Sequence, residues 1–269
     1  SSPYENRKSN IMKRREKLMV DFLPIISGAI GGAASSGAFA GPIQTLQDWW
    51  YVHFGYNLSN QKAMLLAKQE MEIEKLKDNM LQQVSTIPPE NIQEPSIKIL
   101  GPAIEASRYH IEEDELRGMF ANIIAASLDN RKNKVIHSSF VEIIKQLDVL
   151  DAQLLSYFKR NHYGVQTYIP TMRMVVKNQN GSNVVLPLIF LNETFGEFRQ
   201  NAASLINLER LGIITLKSDT FLTDESRYDY IRQHETIIHL MTHHPEMELE
   251  KSSFTITDFG ENFINVCAV

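Results

Sequence analysis

Residues 86–158 constrain this chain more than any other stretch, because three helical patterns follow one another there with boundary signals between them. Leu116, Met119, Phe120, Ile123 and Ile124 recur at the i, i+3, i+4, i+7, i+8 spacing of one helix face. Glu112, Glu113 and Asp114 stand before them, at the end where a helix dipole favours negative charge. Ser139 lies three residues before Glu142, the spacing of a capping box, and Phe140, Ile144 and Leu147 then share a face. Asp148 is placed to cap a third helix, whose Leu150, Leu154, Leu155 and Phe158 form another apolar stripe. These patterns specify packed helices, and none of the positions carries chemistry.

Upstream the pattern stays helical. From Ser59, placed as an N-cap, Leu66, Ile73, Leu76, Met80 and Val84 recur at helical spacing without the strict heptad of a coiled coil. Pro88, Pro89 and Pro95 then impose an extended connector, a candidate hinge. Downstream the pattern changes. Residues 166–176 and 183–191 are rich in Val, Ile, Thr and Tyr around Asn180-Gly181, which reads as a hairpin whose Pro170 and Pro187 confine both strands to sheet edges. Phe195, Phe198, Ala202, Leu205, Leu208 and Leu211 mark an amphipathic helix stopped by Gly212. Residues 213–216 and 254–257 read as strands, and Asp258 opens a terminal helix. Helix, strand, excursion, strand is the order of the closing half of a winged helix. The expected fold class is mainly α: a helical bundle with a C-terminal winged-helix-like α+β region. Its divisions are a basic and glycine-rich, aromatic segment (1–57), a helical domain (58–161) and a winged-helix-like domain with an inserted helix (162–269).

The N-terminal segment is the unusual one. Lys13, Arg14, Arg15 and Lys17 precede an uncharged run from Phe22 to Gln47, long enough for a bilayer-crossing helix of ~20 residues. Gly28, Gly32, Ser36 and Ala40 fall on one i, i+4 ridge, the spacing that lets helices approach closely in membranes, and Trp49 and Trp50 follow as an interfacial aromatic belt would. A cleaved signal peptide ending at Ala38-Phe39-Ala40 ranks last, because Asp21 interrupts its apolar region. A membrane-active or pore-lining helix is the second reading, opposed by the helix-weakening glycines. Placed slightly ahead is a glycine-rich helix or loop packed against the rest of the protein or a second subunit, with the aromatics buried. Conditional insertion after a trigger would combine the last two.

Composition narrows the chemistry. The formal net charge of −5 argues against a general polyanion binder, since that affinity comes from Lys and Arg on phosphates. The single cysteine, Cys267, rules out an internal disulfide and a cysteine-rich zinc site. On the winged-helix reading, Arg199, Gln200, Asn207 and Arg210 are the candidate contacts of the groove-facing helix. Glu197 and Glu209 share that helix, and Asp219, Asp224 and Glu225 follow in the excursion, so protein contact is preferred over nucleic acid. The excursion also holds Glu235, His239 and His243 at i, i+4, i+8, donors that could bind zinc from one helix face. Their spacing departs from the His-Glu-x-x-His motif of metalloproteases, and solvated surface histidines explain them as well. No phosphate loop or hydrolase elbow is present, and no cofactor is implied.

Several short pieces, weak singly, are specific in their order: Pro88-Pro89-Glu90-Asn91-Ile92, Gly101-Pro102-Ala103, Glu115-Leu116-Arg117 running into Phe120-Ala121-Asn122, and His137 leading into Phe140 to Leu147. In these the chain resembles the abortive-infection alpha (Abi-alpha) family of bacterial proteins, over the middle third and more loosely over most of its length. The resemblance implies a cytoplasmic bacterial or prophage-encoded protein associated with defence against phage, peripheral to or inserted in the inner membrane if residues 22–47 engage the bilayer. It brings no catalytic motif. The expected function is a non-enzymatic effector or sensor working through a protein partner or self-association. The alternatives are a winged-helix nucleic-acid-binding regulator and a metal-dependent hydrolase.

Overall fold

A computed structural model describes residues 40–54, 63–165, 167–179, 181–191 and 197–269. Gly28, Gly32 and Ser36, the proposed cap Ser59, the turn residue Asn180 and Phe195 lie outside the described residues. The chain divides into two compact units, residues 1–149 with 266–269, and residues 150–265.

The first unit is helical: α1 (Ala40–Phe54), α2 (Ala63–Val84), α3 (Ile97–Ser107), α4 (Asp114–Ser127) and α5 (Ser139–Ile144). α4 is its centre and packs against α2, α3 and α5. Leu116, Met119, Phe120, Ile123 and Ile124, the face read from the sequence, are all buried, as are Ile73, Leu76, Met80 and Val84 of α2. The last residues of the chain return to this unit. Asn122 Nδ2 donates to the carbonyls of Cys267 (3.1 Å) and Ala268 (3.0 Å), and Val269 lies against Gly118, where an added Cβ would stand 2.7 Å from its side chain.

Two sequence expectations are corrected here. Ser138, not Ser139, occupies the N-cap position of α5, and it makes no side-chain capping bond. The His137 imidazole takes that place: its Nδ1 accepts from the Ser139 backbone N–H at 3.2 Å and lies 2.6 Å from the Ser139 hydroxyl. The proline connector is also fastened rather than left extended. Pro89–Asn91 forms a single 3-10 turn, Ile92 pairs with Asp129 in an isolated bridge, and Gln93 donates to the carbonyls of Leu128 (2.8 Å, from its backbone) and Ser127 (3.2 Å, from its side chain).

Asp129 holds the other side of that contact. Its carboxylate accepts from the Arg131 backbone N–H at 3.0 Å and from Arg131 Nη2 at 2.7 Å. Burial works against the charged form, but the Arg131 hydrogen bonds outweigh it and hold this carboxyl below its ordinary value. Asp129→Asn should therefore cost about 1–2 kcal/mol, read as a lower midpoint in urea denaturation at neutral pH. A carboxyl with a depressed folded pKa contributes fully above its unfolded value of about 3.9 and loses the contribution as pH falls through the folded value. The difference between variant and native chain should accordingly vanish in strong acid, and a difference that persists there would show that the charge is not its source.

The second unit is α+β: α6 (Val149–Arg160), β1 (Ile169–Asn178), β2 (Gly181–Ile189), α7 (Phe198–Arg210), β3 (Ile214–Lys217), α8 (Asp229–Arg232), α9 (Glu235–His243), β4 (Met247–Ile256) and α10 (Asp258–Cys267). The four strands form one antiparallel sheet in the order β2-β1-β4-β3. β2 is an edge strand, as Pro187 required, but β1 is central despite Pro170. The reason is register: the last pairing of β2 is Ile189 with Met172, so Pro170 lies beyond it and faces only Ser253 of β4. Phe158 of α6, Phe190 and Phe254 of β4 form an aromatic triangle with centroids 5.5–6.4 Å apart. A second buried cluster joins Met172, Met174 and Ile189 to Tyr228, Ile231 and Ile237 of the excursion.

α7 ends as the glycine predicted. Gly212 has φ +76°, its N–H donates to Glu209 O (2.9 Å), and the Ile213 N–H donates to Leu208 O (2.9 Å), the two bonds of a Schellman cap. The chain then enters β3 directly.

Candidate functional site

The two sets of candidate contacts in the second unit lie on different helices. On α7, Phe198, Asn201, Ser204, Leu205 and Leu208 are buried, while Arg199, Gln200, Ala203 and Ile206 are exposed. Asn207 is turned inward enough to donate from Nδ2 to the buried Asp151 of α6 at 2.7 Å, and its Oδ1 accepts from Arg210 Nη2 at 2.7 Å. Arg199, Gln200 and Arg210 therefore face solvent, and Arg210 is tied through Asn207 to α6. On α9 the rings of His239 and His243 lie 4.1 Å apart, and His243 Nδ1 is 2.9 Å from the His239 carbonyl. Glu235 is the first residue of the helix. Among the described residues no group of three or more His, Cys, Asp and Glu side chains is placed to hold a metal ion.

Trp49 and Trp50 sit in α1. Trp50 is buried and tilts against Phe54 at 4.6 Å, while Trp49 stacks on His53 at 5.2 Å and covers Gly101 of α3, where an added Cβ would meet its ring at 2.8 Å. Ala40 is the first residue of α1. No helix among the described residues is long and apolar enough to cross a membrane.

Sequence reading missed a charged constellation in the second unit. β3 stops at Lys217 opposite Ser253, so residues 247–252 of β4 have no strand beside them there among the described residues. A cleft of about 390 Å³ opens beside them, lined by Arg173 of β1, Ser218, Asp219, Phe221, Arg232 of α8, and Leu249, Glu250 and Lys251 of β4. Register places Arg173 opposite Glu250, and its Nε and Nη2 contact one carboxylate oxygen at 2.8 and 2.7 Å. Glu225 receives Lys251 Nζ on one oxygen (2.6 Å) and Arg232 Nη2 on the other (2.7 Å). The hydrogen bond from Lys251, then that from Arg232, hold its carboxyl below the ordinary value. Lys251 Nζ also lies 4.6 Å over the Phe221 ring, a cation–π distance. These residues come from β1, the excursion and β4, so no local spacing in the sequence could signal them.

The model of the abortive infection alpha family matches residues 68–267, all of the second compact unit and most of the described part of the first, and the chain belongs to that family. No curated protein and no solved structure matches it.

Proposed function

We propose that this protein is a phage-defence effector or sensor that acts without catalysis, through protein contacts made by the exposed side of α7. Family membership supports the defence role. The observation that carries the contact surface is Ile206, 51% exposed in the middle of α7 and flanked on the same side by Arg199 and Ala203. An apolar centre with a polar surround suits a protein partner, and the opposing Glu197 and Glu209 make it a poor phosphate surface. A winged-helix use of this unit is supported by the sequence of α7, β3, a connecting excursion and β4, with β1 as the third strand. The glycine-rich run before α1, including Gly28, Gly32 and Ser36, would mediate self-association or membrane contact.

Phage plating on cells expressing the native chain, Ile206→Asp or Arg199→Glu tests the contact surface. Loss of protection by at least ~10-fold at unchanged protein level is expected for Ile206→Asp, the size of effect that follows from removing a central interface contact. Full protection by both variants would overturn the assignment. Salt-dependent binding of duplex DNA that Arg199→Glu abolishes would replace the protein partner by nucleic acid. Removal of residues 1–39, which leaves α1 whole, separates the roles of the two ends: protection that survives it would dissociate the glycine-rich run from the effector step.

A further inference from the structure

Lys251 and Arg232 converge on a single carboxylate, that of Glu225, one on each oxygen. Glu225 sits on an exposed 3-10 turn with 60% of its side chain open to solvent, so it is held by the two cations and not by packing. Its carboxylate is bonded to two of the residues that line the cleft, Arg232 and Lys251. Beside it stands Phe221, a large ring 48% exposed with one cation already over it, and behind it Leu249 supplies apolar wall. Asp219 and Glu250 add acceptors for N–H or O–H groups, and the cleft volume is within the range of small-ligand sites.

We propose that this cleft binds a nucleotide, whose phosphate displaces Glu225 from Lys251 and Arg232 and whose base lies against Phe221. A phosphate group carries more charge than a carboxylate and more acceptor oxygens, which favours it over Glu225 at the same two donors. Aromatic stacking is available to every base, and Asp219 and Glu250 can accept from ribose hydroxyls or exocyclic amines. Arg173 is held against Glu250 by Nε and Nη2, which leaves its remaining N–H edge to approach the ligand. The inference goes beyond the partner-contact reading and stands independently of it, since α7 does not line the cleft.

Isothermal titration of the full chain with ATP, GTP and AMP, and separately with inorganic phosphate, tests it. At least one nucleotide is expected to bind more tightly than inorganic phosphate. Phe221→Ala should weaken that binding about tenfold, as loss of one stacked base does, and Arg232→Gln should weaken nucleotide and phosphate alike. Glu225→Gln should tighten both, because the internal competitor loses its charge. Absence of binding by all three nucleotides at about 1 mM, where a site weaker than about −4 kcal/mol would go unfilled, overturns the proposal. So does equal affinity for inorganic phosphate, or binding that Phe221→Ala and Glu225→Gln both leave unchanged.

Discussion

Gly260→Ala is expected to destabilise the protein by about 3 kcal/mol or more, a large share of the stability of an ordinary domain. The added Cβ would stand 2.0 Å from the carbonyl oxygen of Ile213 and 2.8 and 2.9 Å from that residue's carbonyl carbon and Cα. All three atoms are backbone, so no side-chain rotation relieves the clash. The approach is close because Thr257 ties the start of α10 to the turn before β3. Its hydroxyl donates to the Gly212 carbonyl at 2.6 Å and accepts the Gly260 N–H at 2.9 Å, and its own N–H donates to the Ile213 carbonyl at 3.0 Å. Three bonds from one residue fix the distance between α10 and the Gly212-Ile213 turn, and only a residue without Cβ fits at that distance. Thermal unfolding followed by far-UV circular dichroism would read the effect. A midpoint within a degree or two of the native chain would mean that α10 can slide away from Ile213 at little cost, and that the Thr257 bonds do not set the spacing.

The elements that repeat a pattern within one helix or one hairpin were legible from the residues alone. The α4 stripe, the α7 stripe with its Gly212 stop, the hairpin around Asn180-Gly181 and the α10 start after Thr257 all depend on neighbours within a few positions, which is the range that periodicity reports. Failures came where a long-range contact overrode a local preference. Pro170 lies in a central strand because β2 ends before reaching it, a fact of register and not of sequence. The proline connector is held by Asp129 and the Ser127 and Leu128 carbonyls, residues far along the chain. The His137 imidazole displaced the expected serine cap because Ser139 is already the first helical residue, and its own N–H needs an acceptor that the side chain two positions earlier supplies.

Several residues that carry the family resemblance are explained by packing. Gly101 is the floor under Trp49, Asn122 clips the last two peptide carbonyls of α10 and its tail, and Asn91 donates to Asn130 Oδ1 at 3.0 Å across the connector. They hold the first unit together, which is why no chemistry could be read from them. The charged cleft, in contrast, is assembled from residues 173, 218–232 and 249–251, three places that meet only through strand pairing and the docking of the excursion. Charge spacing within any one of these segments looks like an ordinary solvated surface.

The resemblance also includes Arg117, and here the expected effect is again large. Arg117 of α4 is 4% exposed and Glu72 of α2 is 6% exposed, and Arg117 Nη1 donates to the Glu72 carboxylate at 2.7 Å and to the Ile111 carbonyl at 2.8 Å. Its Nη2 donates to Asp114, and Lys75 Nζ reaches the other Glu72 oxygen at 3.0 Å. Removing either member leaves the other charge buried with only its outer partner, Asp114 for Arg117 and Lys75 for Glu72, which costs up to about 3–5 kcal/mol. Arg117→Met and Glu72→Leu should each shift urea unfolding by an amount of that order. Desolvation of two ions consumes most of what their attraction returns, so the double variant Glu72→Leu, Arg117→Met, which fills the space with apolar side chains, should recover most of the loss. Additive losses in the double variant would mean that the two residues stabilise the unit through separate partners, Lys75 on one side and Ile111 and Asp114 on the other. A recovered double variant would show instead that α2 and α4 need a matched pair at this contact, and that charge is one of two ways to provide it.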